Sequence, residues 1–199
     1  MAKEIILASG SAIRAELLTR AGLQFSTLPV KVDEQNIRRS LLHEQATPRD
    51  IADALAEMKA ARAAAKAPNA LVIGCDQILA IGKEILSKPT SPEQALAQLH
   101  QLNGKTHQLL SAVVVYDNGQ PVWRHVGPVR LTMHTMSDDW LSQYVTRNWP
   151  GISASPGAYK LEEEGVRLFS AIQGDYFSVL GLPLLPLLSY LAQRGTLST

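Results

Sequence analysis

Residues 71–79 read Leu-Val-Ile-Gly-Cys-Asp-Gln-Ile-Leu, two apolar runs enclosing the polar pair Asp76 and Gln77. A short, continuously apolar run with β-branched residues is the pattern of a strand buried on both faces, as in the sheet of an α/β protein. A carboxylate in such a strand loses much of its hydration unless a metal, a cation or a substrate stands beside it. Gly74 leaves room for a backbone or a ligand to approach just before it. Asp76 is equally readable as a strand-end turn residue, because Asp is common in turns. The stretch alone leaves both readings open.

Bulk properties exclude several classes. With 199 residues the chain suits one larger domain or two small lobes around a cleft, and it can bury a substantial core. Its formal net charge of +1 offers no global attraction to a nucleic acid polymer or an anionic membrane, so any anion site must be local. The single cysteine, Cys75, excludes an internal disulfide and fits a reducing compartment. Ile5–Ala8 is far too short for a signal peptide, and no run approaches the roughly 20 residues of a membrane span. The apolar 180–191 stretch contains Pro183 and Pro186 and reads as a packed terminal helix. A cytoplasmic protein with no membrane partner is expected.

Glu4–Ala8 is a strand candidate that runs through Ser9-Gly10-Ser11 into a helix over about 12–21, with Ile13, Leu17, Leu18 and Ala21 inward and Gly22 as its stop. Strand, small polar residues, then helix is how α/β folds present N–H groups and a positive helix end to phosphate. Arg14 in the first turn opposes the helix dipole, so a bound anion explains it better than local structure does. Ser9 and Ser11 are also ordinary helix caps. The Gly-x-Gly-x-x-Gly dinucleotide fingerprint is absent.

A second strand is expected over Phe25–Val30, then Asp33 and Glu34, a pair that can ligate a divalent cation but is more often solvated loop. Residues 35–46 read as a polar loop or short helix. Thr47-Pro48-Arg49-Asp50 opens a long helix with Thr47 as cap, Pro48 first and Asp50 as capping acid; Ile51, Leu55, Met58 and Ala65 form its inward stripe. Lys59 projects from the edge of that stripe, either snorkelling to water or reaching a phosphate. After the 71–79 strand, Gly82-Lys83 is a turn, Ile85-Leu86 a return strand, Lys88 a loop residue, and Ser91-Pro92-Glu93 the start of a helix with Leu96, Leu99 and Leu102 inward.

Asn103-Gly104-Lys105-Thr106 superficially resembles a P-loop ending, but Leu99 stands where the first glycine belongs and the segment runs from helix to strand. A strand over Gln108–Tyr116 and the turn Asp117-Asn118-Gly119 predict a hairpin. Strands are expected over Pro121–Val126 and Val129–His134, so the sheet is mixed. Ser137 caps a helix to about Arg147. Residues 153–167 read as a loop whose three consecutive acids, Glu162–Glu164, suit a solvated face or a binding loop. Strands at Leu168–Ile172 and Ser178–Leu180 and a helix at Leu184–Arg194 complete an α/β chain with helices flanking a mixed, twisted sheet.

These segments together resemble the Maf family of nucleoside triphosphate pyrophosphatases, relatives of the inosine triphosphatase fold. The resemblance rests on Leu7–Leu18, Val32-Asp33-Glu34, Met58-Lys59-Ala60, Ile73–Gln77, Leu86-Ser87-Lys88-Pro89, Leu102–His107, Gly157-Ala158-Tyr159 and Val179–Leu184, in register along nearly the whole chain. It implies hydrolysis of a nucleoside triphosphate to the monophosphate and pyrophosphate with a divalent cation, Mg²⁺ or Mn²⁺. It also implies catalysis by Asp76, as general base or metal ligand, metal binding by Glu34 and Asp76, and phosphate binding by Ser9, Ser11, Arg14, Lys59 and Lys88. A homodimer is a further implication of the family.

Two departures stand out. Ala12 and Ile13 replace the usual Pro and first Arg, removing one cation. Gln77 and Glu162 stand where many members have Thr and Gln, a pairing associated with dTTP and UTP; the Gln77–Glu162 pairing of this chain resembles the branch acting on 7-methyl-GTP. A carboxylate acceptor suits the N1–H and 2-amino donors of guanine. Gly157-Ala158-Tyr159, however, resembles the pyrimidine branch. Maf proteins are also associated with septum formation and cell-division arrest, which leaves a nucleotide-binding regulator without turnover as a competing reading. A cysteine hydrolase is the weakest, because Cys75 should face away from Asp76 on its strand.

Overall fold

In a computed structural model that describes residues 3–197, the 71–79 pattern is realised as a long strand, β3 (Leu71–Ile81), buried along nearly all its length. On one side it pairs in parallel with β1 (Ile5–Leu7), Ile5 opposite Leu71 and Leu7 opposite Ile73. The short β2 (Ser26–Thr27) pairs in parallel with β1. At its other end β3 turns back through Gly82, which has positive φ, into the antiparallel β4 (Glu84–Leu86). The mixed seven-stranded sheet has the order β2-β1-β3-β5-β6-β7, with β4 on β3; β5 is Thr106–Asp117, β6 Gln120–Met133 and β7 Phe169–Gln173.

Helices α1 (Ala12–Arg20), α2 (Glu34–His43), α3 (Pro48–Ala64), α4 (Pro92–Leu102), α5 (Asp138–Asn148), the short α6 (Tyr176–Val179) and α7 (Leu184–Gln193) complete the α/β fold. Helix α3 starts as its sequence prescribes, with a reciprocal capping box between Thr47 and Asp50 and Pro48 in the first turn. The chain divides into two compact units. One gathers the described residues up to Gln77 with 111–127 and those from Asp175 onward; the other comprises Ile78–Leu110 and Pro128–Gly174.

Within the first unit, alternation along β3 divides the side chains between two environments. Leu71, Ile73 and Cys75 join a core of Leu7, Leu17, Leu18, Val113, Val115 and residues of α7. Gly74 lies on the opposite face against α3, so close that a Cβ there would stand 2.3 Å from Ala56 O and 2.6 Å from Ala60 N. The small residues Ala52, Ala56, Ala60 and Ala63, all fully buried, complete α3's inner stripe.

Four local expectations are corrected. Residues 25–30 form a strand only over Ser26–Thr27. The hairpin turn at Asn118-Gly119 is as expected, with positive φ at both, but it leads into one uninterrupted β6 rather than two strands. Residues 178–180 are not a strand: Asp175 caps α6 by accepting from Ser178 N–H, so the chain coils there. Ile51 and Leu55 are buried as expected, but Met58 and Ala65 are exposed, because beyond Leu55 the inner stripe of α3 runs through Ala56, Ala60, Ala63 and Ala64, which a hydrophobicity pattern undervalues.

Candidate functional site

Asp76 follows Gly74 on the α3 face of β3 and is 4% exposed. One turn beyond Leu55, Lys59 of α3 reaches it: Nζ lies 2.6 Å from Asp76 Oδ1 and 2.7 Å from Glu34 Oε1. Lys59 therefore joins two carboxylates instead of snorkelling to solvent. Burial pushes the Asp76 carboxyl above the usual carboxylate range, with Lys59 and Arg14 opposing that shift and Glu34 adding to it. Its second oxygen, Oδ2, is buried and accepts no hydrogen bond from the described residues. A buried carboxylate oxygen without a donor is costly unless it is meant for a ligand.

Glu34 reaches this cluster through its own cap. Asp33 accepts from Asn36 N–H at 3.1 Å and starts α2, so Glu34 becomes the first helical residue rather than solvated loop; it also pairs with Arg38 at 3.7 Å. Glu34 and Asp76 thus share a cation, while Asp33 spends its carboxylate on the helix.

The segment between β1 and α1 supplies a third side. Ser9 is nearly buried, and its Oγ accepts from Ser11 N–H at 3.2 Å and from Arg14 Nη1 at 3.3 Å. Ser11 occupies the cap position of α1, yet its side chain makes no capping bond, and no acid stands in the first turn. Arg14 also donates from Nε to Gly181 O at 2.7 Å and from Nη1 to Cys75 O at 3.2 Å. Tertiary structure does explain this arginine: it ties α1 to β3 and to the segment after α6. Its positive charge nevertheless remains beside the start of α1.

Gln77 points to the other face, where its Nε2 donates to Ser111 Oγ (3.0 Å), Ser178 O (3.1 Å) and Val179 O (2.9 Å). Ser111 Oγ in turn donates to Ser178 O at 2.6 Å. With its nitrogen held by acceptors, the amide has its Oε1 left to offer. Sequence reasoning missed Ser111 and Ser178; a polar residue amid the apolar run 109–116 was the only signal for Ser111.

Cys75 lies in the core, where burial pushes its thiol up to about 11. That removes it as a nucleophile at neutral pH.

Lys88 and Glu162 belong to the second unit, and both are exposed. The three acids of the 162–164 run differ in their engagements. Glu163 pairs with Lys160 at 2.9 Å, and Glu164 accepts from Arg147 and from Asn148 at 2.8 Å each. Glu162 makes no ion pair or hydrogen bond with the described residues.

Among the described residues, no group of three or more His, Cys, Asp or Glu is arranged to hold a metal ion. Two carboxylates nonetheless fit a hard cation of the Mg²⁺ type, which commonly takes one or two from the protein and the rest of its oxygens from phosphate and water. The unpartnered Asp76 Oδ2 is the observation that favours such a fit.

Comparison with known proteins gives the family. The Maf-like protein family matches residues 4–194. The chain is 59% identical to a nucleoside triphosphate pyrophosphatase of Ruegeria pomeroyi over the full length of both. It is 57% identical to one of Roseobacter denitrificans, over 99% of each chain. A Brucella abortus protein named 7-methyl-GTP pyrophosphatase is 45% identical over 98% of each chain. This α/β protein, with its buried carboxylate–lysine pair beside a strand–loop–helix segment, is thereby placed: the chain belongs to the Maf family.

Proposed function

We propose that this chain hydrolyses nucleoside triphosphates to nucleoside monophosphate and pyrophosphate, with a guanine nucleotide of the 7-methyl-GTP type as its preferred substrate. The observation that carries the reaction is Asp76, buried, paired through one oxygen with Lys59 and unpartnered at the other. The names of full-length relatives support the reaction class, and that of the Brucella protein supports the base.

The chemistry divides among residues of this chain. Ser9, Ser11 and the unneutralised start of α1, with Arg14, Lys59 and Lys88, supply hydrogen bonds and positive charge for the triphosphate. Asp76 takes the proton of the water that attacks the α-phosphorus, and the bond from that phosphorus to the bridging oxygen breaks as pyrophosphate leaves. Burial raises the basicity of Asp76, which suits this task. Asp76 and Glu34 would hold a divalent cation, which when bound would neutralise developing charge on the phosphate oxygens. Gln77, fixed as an acceptor, and Glu162, uncommitted among its neighbours, read the N–H donors of the base. Loss of the usual arginine at Ile13 leaves Lys59 and Arg14 with a larger share of the charge.

The test is pyrophosphate release with Mg²⁺ or Mn²⁺ across 7-methyl-GTP, GTP, UTP, dTTP, CTP and ATP. The methylated guanine nucleotide is expected to lead. Asp76→Asn should lower turnover on the order of 10²–10⁴-fold with an unchanged circular dichroism spectrum. Preference for UTP or dTTP would overturn the base assignment alone. Nucleotide binding without release of pyrophosphate from any of them would favour a regulator.

A further inference from the structure

The loop that carries Glu162 is fastened on both sides within the second unit. Gly157 and Ala158 take left-handed backbone, at φ 82° and 57°. A Cβ on Gly157 would come within 2.6 Å of Leu79 Cδ1, and its N–H donates to Gln98 Oε1 at 2.9 Å. Tyr159 then turns into the interior, its hydroxyl 2.8 Å from His107 Nε2 and its ring edge-on to Phe169 at 4.7 Å. After the acidic run, Gly165 packs on the backbone of residue 160: a Cβ there would lie 2.4 Å from Lys160 O and 3.0 Å from the Tyr144 hydroxyl. Glu163 and Glu164 are held by their own partners, so Glu162 projects from a short tip between two anchors.

A buried polar pair among aromatic rings contributes little that apolar packing could not, but it admits one geometry. Neither His107 nor Tyr159 has a part in the phosphate chemistry. We propose that the His107–Tyr159 hydrogen bond positions Glu162, making both residues positioning residues for recognition of a purine base with N–H donors. This rests on Glu162 reading the base. A carboxylate accepting two N–H donors is sensitive to small displacement, whereas phosphate binding and water attack do not involve this loop. Breaking the bond therefore changes the affinity for one class of base and leaves turnover alone.

The experiment measures kcat and KM for GTP, 7-methyl-GTP, UTP and dTTP in Tyr159→Phe, His107→Leu, His107→Gln and Glu162→Gln. Tyr159→Phe keeps the ring and removes the bond; it is expected to raise KM for the guanine nucleotides about tenfold, with kcat and the pyrimidine KM values within twofold of the parent. His107→Leu, which cuts the same bond from the other side, should give the same split. His107→Gln retains a partner for the Tyr159 hydroxyl and should preserve selectivity. Glu162→Gln should lower the guanine-to-pyrimidine ratio of kcat/KM at least as far, and adding Tyr159→Phe to it should cost nothing more. An unchanged ratio in Glu162→Gln would remove Glu162 from base reading and the proposal with it. A collapsed ratio in Glu162→Gln, with Tyr159→Phe and His107→Leu keeping selectivity or slowing all nucleotides alike, would leave Glu162 in place and overturn the positioning role.

Discussion

Lys59 stands 2.6 Å from Asp76 and 2.7 Å from Glu34, so one ammonium bridges two carboxylates, one of them almost wholly removed from water and the other also paired with Arg38. Such an arrangement is stable only while the cation stays, because an uncompensated buried charge is costly. His107 poses the opposite case, a group kept neutral. It is 2% exposed, and burial holds its imidazole down to about 4. The unfolded chain binds this proton near the ordinary histidine value of about 6.5, so stability is full above that pH and is lost as pH falls toward 4, at about 1.4 kcal/mol per unit. His107→Gln should flatten that acid limb, as urea denaturation between pH 7 and 4.5 will measure; an unchanged slope would assign the acid sensitivity elsewhere. Asp76 was legible in the sequence because a carboxylate interrupts an apolar run. The partner of Lys59 was not, since only the register of α3 against β3 decides what a helical lysine reaches. Arg14 was legible as a cation at the wrong end of a helix, but the carbonyls it satisfies come from residues 75 and 181 and leave no local trace.

At the scale of elements, the approach of β3 to α3 sets the position of the Asp76–Lys59 pair. Gly74 permits that approach, and Ala56 and Ala60 answer it from the helix. Gly74→Ala would push a methyl into backbone atoms that cannot step aside, so a loss of about 3 kcal/mol and a large fall in activity are expected. Denaturant titration together with turnover checks both; a stable, active variant would show that the helix can shift without harm. Strands and helices with strong local signals were read correctly, notably α3 with its capping box and the Asn118-Gly119 hairpin. Residues 178–180 suit a short strand as well as a helical turn through Val179 and Leu180, and the deciding cap, Asp175, lies outside the run. The stripe of α3 was misplaced for a related reason: close packing selected alanine over the larger Met58.

At the scale of the molecule, a net charge of +1 supplies no general field for a polyanionic substrate, so its capture falls to local groups and to any cation that accompanies it. Chelation of divalent metal with EDTA is accordingly expected to abolish pyrophosphate release, with Mg²⁺ or Mn²⁺ restoring it; undiminished turnover in EDTA would leave Lys59 and Arg14 as sufficient. No helix among the described residues is long and apolar enough to cross a membrane. Family membership extends over residues 4–194, and the Ruegeria pomeroyi relative is matched over the full length of both chains.

The bond from Arg14 Nε to Gly181 O joins residues 167 positions apart. During synthesis the serine loop and the first helix emerge 167 residues ahead of the carbonyl that fixes their arginine. Contacts so distant in sequence form late and slowly. A chain cut short before residue 181 would therefore carry every residue assigned to catalysis and still lack the carbonyl that fixes Arg14.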